Sequence, residues 1–148
     1  MKGAKPRLDN VVPMKGDAPR PVPEAPDLMS EAGKAVWQRL AASMVQKDRL
    51  MPHHEDLFAA WCEATADFIE LTSVITMEGR TYTVQTRNGQ QQKKTSAWQA
   101  RQDALANMRQ VGALFGMSPV DDARLSNGGQ GDLFEDLLKQ IKGGGGAD

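Results

Sequence analysis

A short hairpin signal between two helical segments constrains the fold of this chain most strongly. Residues 80–94 leave the helical periodicity of their surroundings, and the strand-forming residues 81–84 precede the pair Asn88-Gly89. Because Asn and Gly both tolerate positive φ, this pair predicts the type I′ turn of a β-hairpin. The second arm, residues 90–94, is polar, so we expect the hairpin to be exposed.

Apolar residues at helical spacing predict three helices around this hairpin. The first is capped by Ser30 and extends to about Val45. The second begins near Pro52 and extends to about Met77, and the third is capped by Ser96 and ends at Gly116. The apolar stripes are Val36, Trp37, Leu40 and Met44 in the first helix, Leu57, Trp61, Ala64, Phe68, Leu71 and Ile75 in the second, and Trp98, Leu105, Met108, Val111 and Phe115 in the third.

These elements predict a mainly α fold, a three-helix core with a β-hairpin inserted before the last long helix. We expect the three tryptophans, one on each stripe, to pack between the helices rather than to stack on bases. Six prolines in residues 1–26 indicate a disordered, Pro-rich basic arm over residues 1–27. The helical domain then covers residues 28–125, and residues 126–148 form a flexible tail with a short amphipathic helix at 132–141.

Composition excludes several classes of protein. The chain has 148 residues and a single cysteine, Cys62, which fits one domain in a reducing compartment and excludes an internal disulfide. No apolar run approaches the roughly 20 residues that a membrane span needs. We therefore expect a soluble intracellular protein whose modest core favours association with copies of itself.

The net charge of −1 hides a strong segregation of charge along the sequence. Residues 52–77 contain five acidic residues and no lysine or arginine, whereas residues 78–110 contain six basic and two acidic residues. The second helix is therefore acidic, and the hairpin with the third helix is basic.

No pattern of a catalytic site is present in the sequence. There is no Walker A motif, and the two histidines, His53 and His54, lie together at one helix end, so no nucleophile has an evident general base. His53 and His54 with Glu55 and Asp56 have no cysteine or further histidine to complete a metal site. We expect a protein that is not an enzyme and that needs no cofactor or metal.

The order of these segments resembles the small terminase subunits of tailed phages, specifically the P27 family. The resemblance covers residues 28–125 and rests on the helix start at 28–37, Asp56-Leu57, residues 61–64, the Asn88-Gly89 turn, and residues 114–119 followed by 123–125. Two features depart from the family pattern: residues 90–94 lack the proline that often follows the turn, and the terminus is rich in glycine.

The resemblance implies a non-catalytic factor in viral genome packaging that acts in the host cell cytoplasm. Such proteins form homo-oligomeric rings of about eight to ten subunits, joined by heterologous interfaces. They bind double-stranded viral DNA at a packaging site and recruit or regulate the large terminase subunit, which carries the ATPase and nuclease.

Charge refines which residues would serve these roles. An acidic second helix would be repelled by phosphates, so we expect DNA contact elsewhere than on a helix-turn-helix. The candidates are Lys2, Lys5, Arg7, Lys15 and Arg20 in the arm, Arg80, Arg87, Lys93 and Lys94 in the hairpin, and Arg101. The subunit-interface candidates are Glu55, Asp56, Glu63, Asp67 and Glu70, which would meet the basic segment of a neighbouring copy.

The apolar stripe of the tail offers a docking site for the large subunit, and its residues are Leu133, Phe134, Leu137, Leu138 and Ile141. Folding of the same segment back onto its own domain is the alternative. Two other functions remain open, a small dimeric DNA-binding regulator and a protein-interaction adaptor without DNA affinity.

Overall fold

The computed structural model describes residues 19–126 and confirms a mainly helical fold with a hairpin before the last long helix. Its elements are α1 (Glu31–Gln46), a 3₁₀ turn (Pro52–His54), α2 (Glu55–Glu78), β1 (Thr81–Thr86), β2 (Gly89–Lys94) and α3 (Ser96–Phe115). Residues 119–126 are helical again. Within residues 19–126, none of the helices combines the length and the apolar character that a membrane span requires.

Helix α1 begins after its predicted cap, Ser30, and the same residue forms hydrogen bonds to α2. The Ser30 hydroxyl accepts a hydrogen bond from the Gly33 amide at 3.0 Å. Both the amide and the hydroxyl of Ser30 donate to the carboxylate of Glu63 in α2, each at 2.8 Å. A negative charge therefore lies at the positive end of the α1 dipole, and a side chain of α2 completes the cap of α1.

Helix α2 begins later than the sequence suggests. Pro52 opens a 3₁₀ turn, and the α-helix follows from Glu55 to Glu78. The His54 ring lies against this turn, with its Nδ1 3.3 Å from the Met51 amide nitrogen and 3.1 Å from the Arg49 carbonyl oxygen. Depending on the tautomer, Nδ1 accepts from the amide or donates to the carbonyl, so one of these two backbone groups is satisfied locally.

The hairpin turn lies one residue earlier than predicted. Thr86 pairs with Gly89, so the two loop residues are Arg87 and Asn88. Neither has positive φ, whereas Gly89 has a φ of 104°. The predicted type I′ turn at Asn88-Gly89 is therefore wrong. Here the residue that needs left-handed freedom follows the loop, as in turns closed by a glycine bulge.

Helix α3 is capped by Thr95, one residue before the predicted Ser96. The Thr95 side chain accepts from the Trp98 amide at 3.2 Å, and Thr95 has the extended backbone of a cap. The helix ends at Gly116, as predicted, in the left-handed conformation. After it, the Ser118 hydroxyl accepts a hydrogen bond from the Asp121 amide at 3.1 Å and opens the helix at 119–126.

Phe58 is the centre of the core and is fully buried. Its ring centroid lies 4.9 Å from Trp37 of α1, 6.0 Å from Trp61 of α2 and 5.4 Å from Phe115 of α3. The apolar stripe predicted for the second helix included Leu57 and not Phe58, but Leu57 is 43% exposed. Because α2 packs against α1 on one side and α3 on another, its buried surface is wider than a single stripe.

The tryptophan prediction is confirmed for Trp37 and Trp61, which are buried, and is wrong for Trp98, which is only partly buried. The unequal lengths of the first two helices account for the exposure of Trp98, because α1 has 16 residues and α2 has 24. At about 1.5 Å per residue, α2 exceeds α1 by roughly 12 Å. Trp98 lies at the hairpin end of the α2–α3 pair.

Residues 19–27 extend the domain beyond its predicted start at residue 28. The Trp37 indole donates to the Pro23 carbonyl at 3.0 Å, and Ala25 packs against the core. An extended, proline-rich backbone suits this contact because its carbonyls are not used in secondary structure.

Candidate nucleic-acid interface

The hairpin projects from the helices and is attached at its base by α3. The Thr95 amide donates to the Arg80 carbonyl at 3.0 Å, and the Thr95 hydroxyl donates to the Gly79 carbonyl at 3.3 Å. Along β1 and β2 most side chains are exposed, and Tyr82 is 50% exposed. The hairpin therefore offers both of its faces to solvent or to a partner.

A cluster at the hairpin base holds two guanidinium groups over one indole ring. Cζ of Arg80 lies 5.1 Å from the ring centroid of Trp98, and Cζ of Arg101 lies 4.6 Å from it. Cζ of Arg101 also lies 5.7 Å from the ring of Phe68 in α2. We call these four residues the Trp98 cluster. Cation–π contact fixes the positive groups without neutralising them.

The Trp98 cluster is electrostatically unbalanced. Within residues 19–126, neither Arg80 nor Arg101 forms a salt bridge. Nε of Arg101 is buried and lacks a hydrogen-bond partner in the same part of the chain. Residues 80–101 as a whole contain five basic residues and no acidic one. This end of the molecule is therefore suited to an anionic partner.

The remaining basic hairpin residues extend this surface along the hairpin, from its base to its turn. Arg87 lies in the turn, and Lys93 and Lys94 pair across the strands with Tyr82 and Thr81. All three are exposed. Because successive strand residues face opposite sides, the two lysines put positive charge on both faces of the hairpin.

The predicted arm residues do not join this surface within the described chain. Arg20 forms a salt bridge with Asp48 and its Nη1 lies 3.1 Å from the Met51 sulfur, at the turn between α1 and α2. Lys2, Lys5, Arg7 and Lys15 lie outside the described residues, as do the docking candidates Leu133, Phe134, Leu137, Leu138 and Ile141.

The acidic candidates on α2 differ in their surroundings. Glu63 is engaged within the chain by Ser30, and Glu55 is half-buried. Asp56, Asp67 and Glu70 are exposed, and in residues 19–126 none of the three forms a salt bridge. Asp56, Asp67 and Glu70 are therefore the acids available to a neighbouring molecule.

The described chain shows no group of three or more residues arranged to hold a metal ion. The rings of His53 and His54 lie 4.0 Å apart, and His54 is occupied by backbone groups of the preceding turn. Burial raises the pKa of the Cys62 thiol to about 12, with a smaller contribution from the Glu63 charge, so the thiol stays protonated.

Sequence reasoning missed the groups that support the basic residues. Trp98 was assigned to the core, and Phe68 to an apolar stripe, although both contact Arg101. The available signal was the spacing of Trp98 and Arg101, three residues apart on one helix, which places them side by side.

Comparison with known proteins agrees with this description. A family model described as "Phage terminase, small subunit" matches residues 33–132, which cover α1 from its third residue onward, α2, the hairpin and α3. No curated protein and no solved structure matches the chain. The family model covers more than half of the sequence, and its members act in phage DNA packaging. The chain belongs to the phage terminase small-subunit family.

Proposed function

We propose that this chain is a P27-type small terminase subunit that binds double-stranded viral DNA through the hairpin and the Trp98 cluster. It is not an enzyme: it assembles into a ring and recruits or regulates the large terminase subunit in the host cytoplasm. The family match supports a role in packaging. The observation that carries the DNA proposal is the run of five basic residues without an acid at the hairpin end.

The Trp98 cluster supports DNA contact through preorganisation. Arg80 and Arg101 are held against an aromatic ring, so less side-chain entropy is lost when their N–H groups meet phosphate oxygens. The exposed Arg87, Lys93 and Lys94 add phosphate contacts around the hairpin. Such contacts carry no sequence information, so they supply affinity rather than recognition of a packaging site.

A salt series tests this proposal. We expect the triple variant Arg87→Gln, Lys93→Gln, Lys94→Gln to bind a short DNA duplex more weakly and with a smaller dependence on salt, measured by fluorescence anisotropy. The slope of log K against log salt is negative, and each lost phosphate contact reduces its magnitude by about 0.9.

The matched control is Arg39→Gln, which removes an exposed positive charge from α1. An equal loss of affinity in this control, or an unchanged slope in the triple variant, would contradict the hairpin as the DNA contact. No binding by the unmodified protein at low salt would favour the adaptor alternative.

Self-assembly is supported by surface that one copy leaves uncovered. Ile69 and Met77 of α2 are 50% and 84% exposed, and Tyr82 in the hairpin is 50% exposed. Beside them, Asp67 and Glu70 carry negative charge that complements the basic segment of another copy. A patch that meets a different patch on its neighbour generates a ring when the rotation closes.

Native mass spectrometry tests the assembly. We expect a closed oligomer whose mass falls to that of smaller species in Asp67→Lys, Glu70→Lys, but not in the control Glu24→Lys, an exposed acid before α1. A stable dimer in every sample would instead favour the DNA-binding regulator.

Recruitment of the large subunit is proposed for the apolar residues Leu133, Phe134, Leu137, Leu138 and Ile141. Their spacing fits a helix that docks one face into a partner groove. Removal of residues 127–148 should abolish co-purification with the large subunit while DNA binding persists; retained co-purification would refute this assignment.

A further inference from the structure

Three exposed leucines from three different helices surround one groove. Leu57 of α2, Leu114 of α3 and Leu125 of the helix at 119–126 are 43%, 60% and 42% exposed. The groove between them has a volume of about 500 Å³, and Phe115 and His54 also line it. Apolar residues of this size, gathered from separate elements, are typical of a surface that another apolar segment covers.

The chain leaves the described structure at the edge of this groove, at Ser126, which is one of its lining residues. Arg49 fixes that position. Its guanidinium bonds to the Asp122 carboxylate, donates to the carbonyls of Phe115 and Asp122, each at 3.3 Å, and donates to the Ser126 hydroxyl at 3.2 Å. The Arg49 side chain is only 11% exposed, whereas the Asp122 side chain is 40% exposed at the rim of the groove.

The sequence that follows carries a complementary apolar stripe. Residues 127–131 are rich in glycine, and then Leu133, Phe134, Leu137, Leu138 and Ile141 recur at helical spacing. A linker of six residues, 127–132, spans at most about 22 Å. It therefore keeps the stripe close to the groove, at an effective concentration of roughly millimolar.

Charge at the groove is mixed, so apolar burial carries the contact. Lys47, Asp48 and Arg49 line the groove, and both basic side chains form salt bridges with Asp122. Between its apolar positions, the stripe carries Glu135, Asp136 and Lys139. Lys47 is 49% exposed at its side chain and so lies at the rim, where solvent screens these charges.

We propose that residues 133–141 pack their apolar side chains into the Leu57–Leu114–Leu125 groove of the same chain. In the free protein the groove covers the apolar side chains of residues 133–141. A partner that binds these side chains must first displace them from the groove. This last consequence rests on the proposed docking of the large subunit, whereas the contact itself does not.

Hydrogen exchange measured by mass spectrometry on the full-length protein tests the contact. We expect amides of residues 133–141 to exchange about tenfold slower than those of residues 143–148, and Leu114→Asp to remove this protection. Leu114 is 60% exposed, so the change leaves the core intact, and Leu125→Ser provides a second groove variant. The control Val120→Asp changes a residue that is 78% exposed and does not line the groove.

Three outcomes would overturn the proposal. The first two are unprotected amides in the unmodified protein and protection that survives both groove variants. The third comes from a co-assembled mixture of chains lacking residues 127–148 and full-length chains carrying Leu114→Asp. Protection of the stripe in that mixture would place it in the groove of a neighbouring copy, whereas its loss supports contact within one chain. Neither measurement involves the large subunit, so failure of large-subunit docking is read separately.

Discussion

Substitution of Gly33 tests how α1 is joined to α2. A Cβ built on Gly33 would lie 2.2 Å from Oε1 and 2.6 Å from Cδ of Glu63. The Glu63 carboxylate must therefore move in Gly33→Ala, and it then loses its hydrogen bonds to the amide and the hydroxyl of Ser30. The same substitution improves helix propensity, so two effects of opposite sign compete.

The magnitudes of these two effects decide whether Gly33→Ala stabilises or destabilises the fold. Replacing a helical glycine by alanine stabilises by about 0.5–1 kcal/mol. Hydrogen bonds to a charged group are worth about 1.5–3 kcal/mol each, and we take roughly half of the lower value because both bonds lie at an exposed helix end. The favourable position of the carboxylate at the helix N-terminus adds about 0.5 kcal/mol. The loss is then about 2 kcal/mol, and we expect Gly33→Ala to destabilise by about 1 kcal/mol.

A double-mutant cycle separates the two effects. In a Glu63→Ala background the new Cβ meets no carboxylate, so Gly33→Ala should raise the free energy of unfolding by about 0.5–1 kcal/mol. The assay is equilibrium urea unfolding followed by tryptophan fluorescence, at one fixed protein concentration because assembly contributes to stability. The reasoning would be refuted if Gly33→Ala had the same effect with and without Glu63.

Three further predictions follow from individual side chains. Thr95→Ala should lower the free energy of unfolding by about 1 kcal/mol through loss of the α3 cap, whereas Thr95→Ser should be nearly neutral in the same urea assay. Hydrogen bonds from Arg49 and then Lys47 hold the pKa of Asp122 below its usual range, so its contribution to stability is present above about pH 4 and is lost as pH falls through the lowered pKa. Asp122→Asn should flatten the acid side of the plot of unfolding midpoint against pH; an unchanged plot would argue against a stabilising contact between Arg49 and Asp122. The raised pKa of Cys62 predicts slow reaction with a disulfide reagent at pH 8 in the native state and rapid reaction in denaturant, measured by absorbance; equal rates would contradict its burial.

Local signals in the sequence predicted the elements well. Ser30 and Gly116 bound helices as expected because capping depends on residues a few positions apart. Thr95 displaced Ser96 as a cap because both side chains can accept the same kind of bond, and only the backbone angles distinguish them. The loop at Arg87-Asn88 was misplaced by one residue because the strand register decides where the glycine falls.

Contacts between distant residues were not predictable in the same way. Glu63 was assigned to a subunit interface from its charge, yet it caps a helix 33 residues away in sequence. Arg49 had no role predicted from the sequence, although it joins the segment after α1 to Asp122, 73 residues further on. Both depend on how helices pack, which periodicity does not specify. The basic character of residues 80–101, by contrast, needed only the order of charges.

The different lengths of α1 and α2 imply that two kinds of selection act on one short domain. Near Phe58, side chains are held by three helices, so substitutions there are restricted by volume and shape. Near Trp98, α2 extends roughly 12 Å past the length of α1. Residues at that end are restricted less by the fold and more by what the chain contacts outside itself. Among homologues we therefore expect hairpin-end residues to vary together with the partner they meet, while the residues around Phe58 vary only with one another.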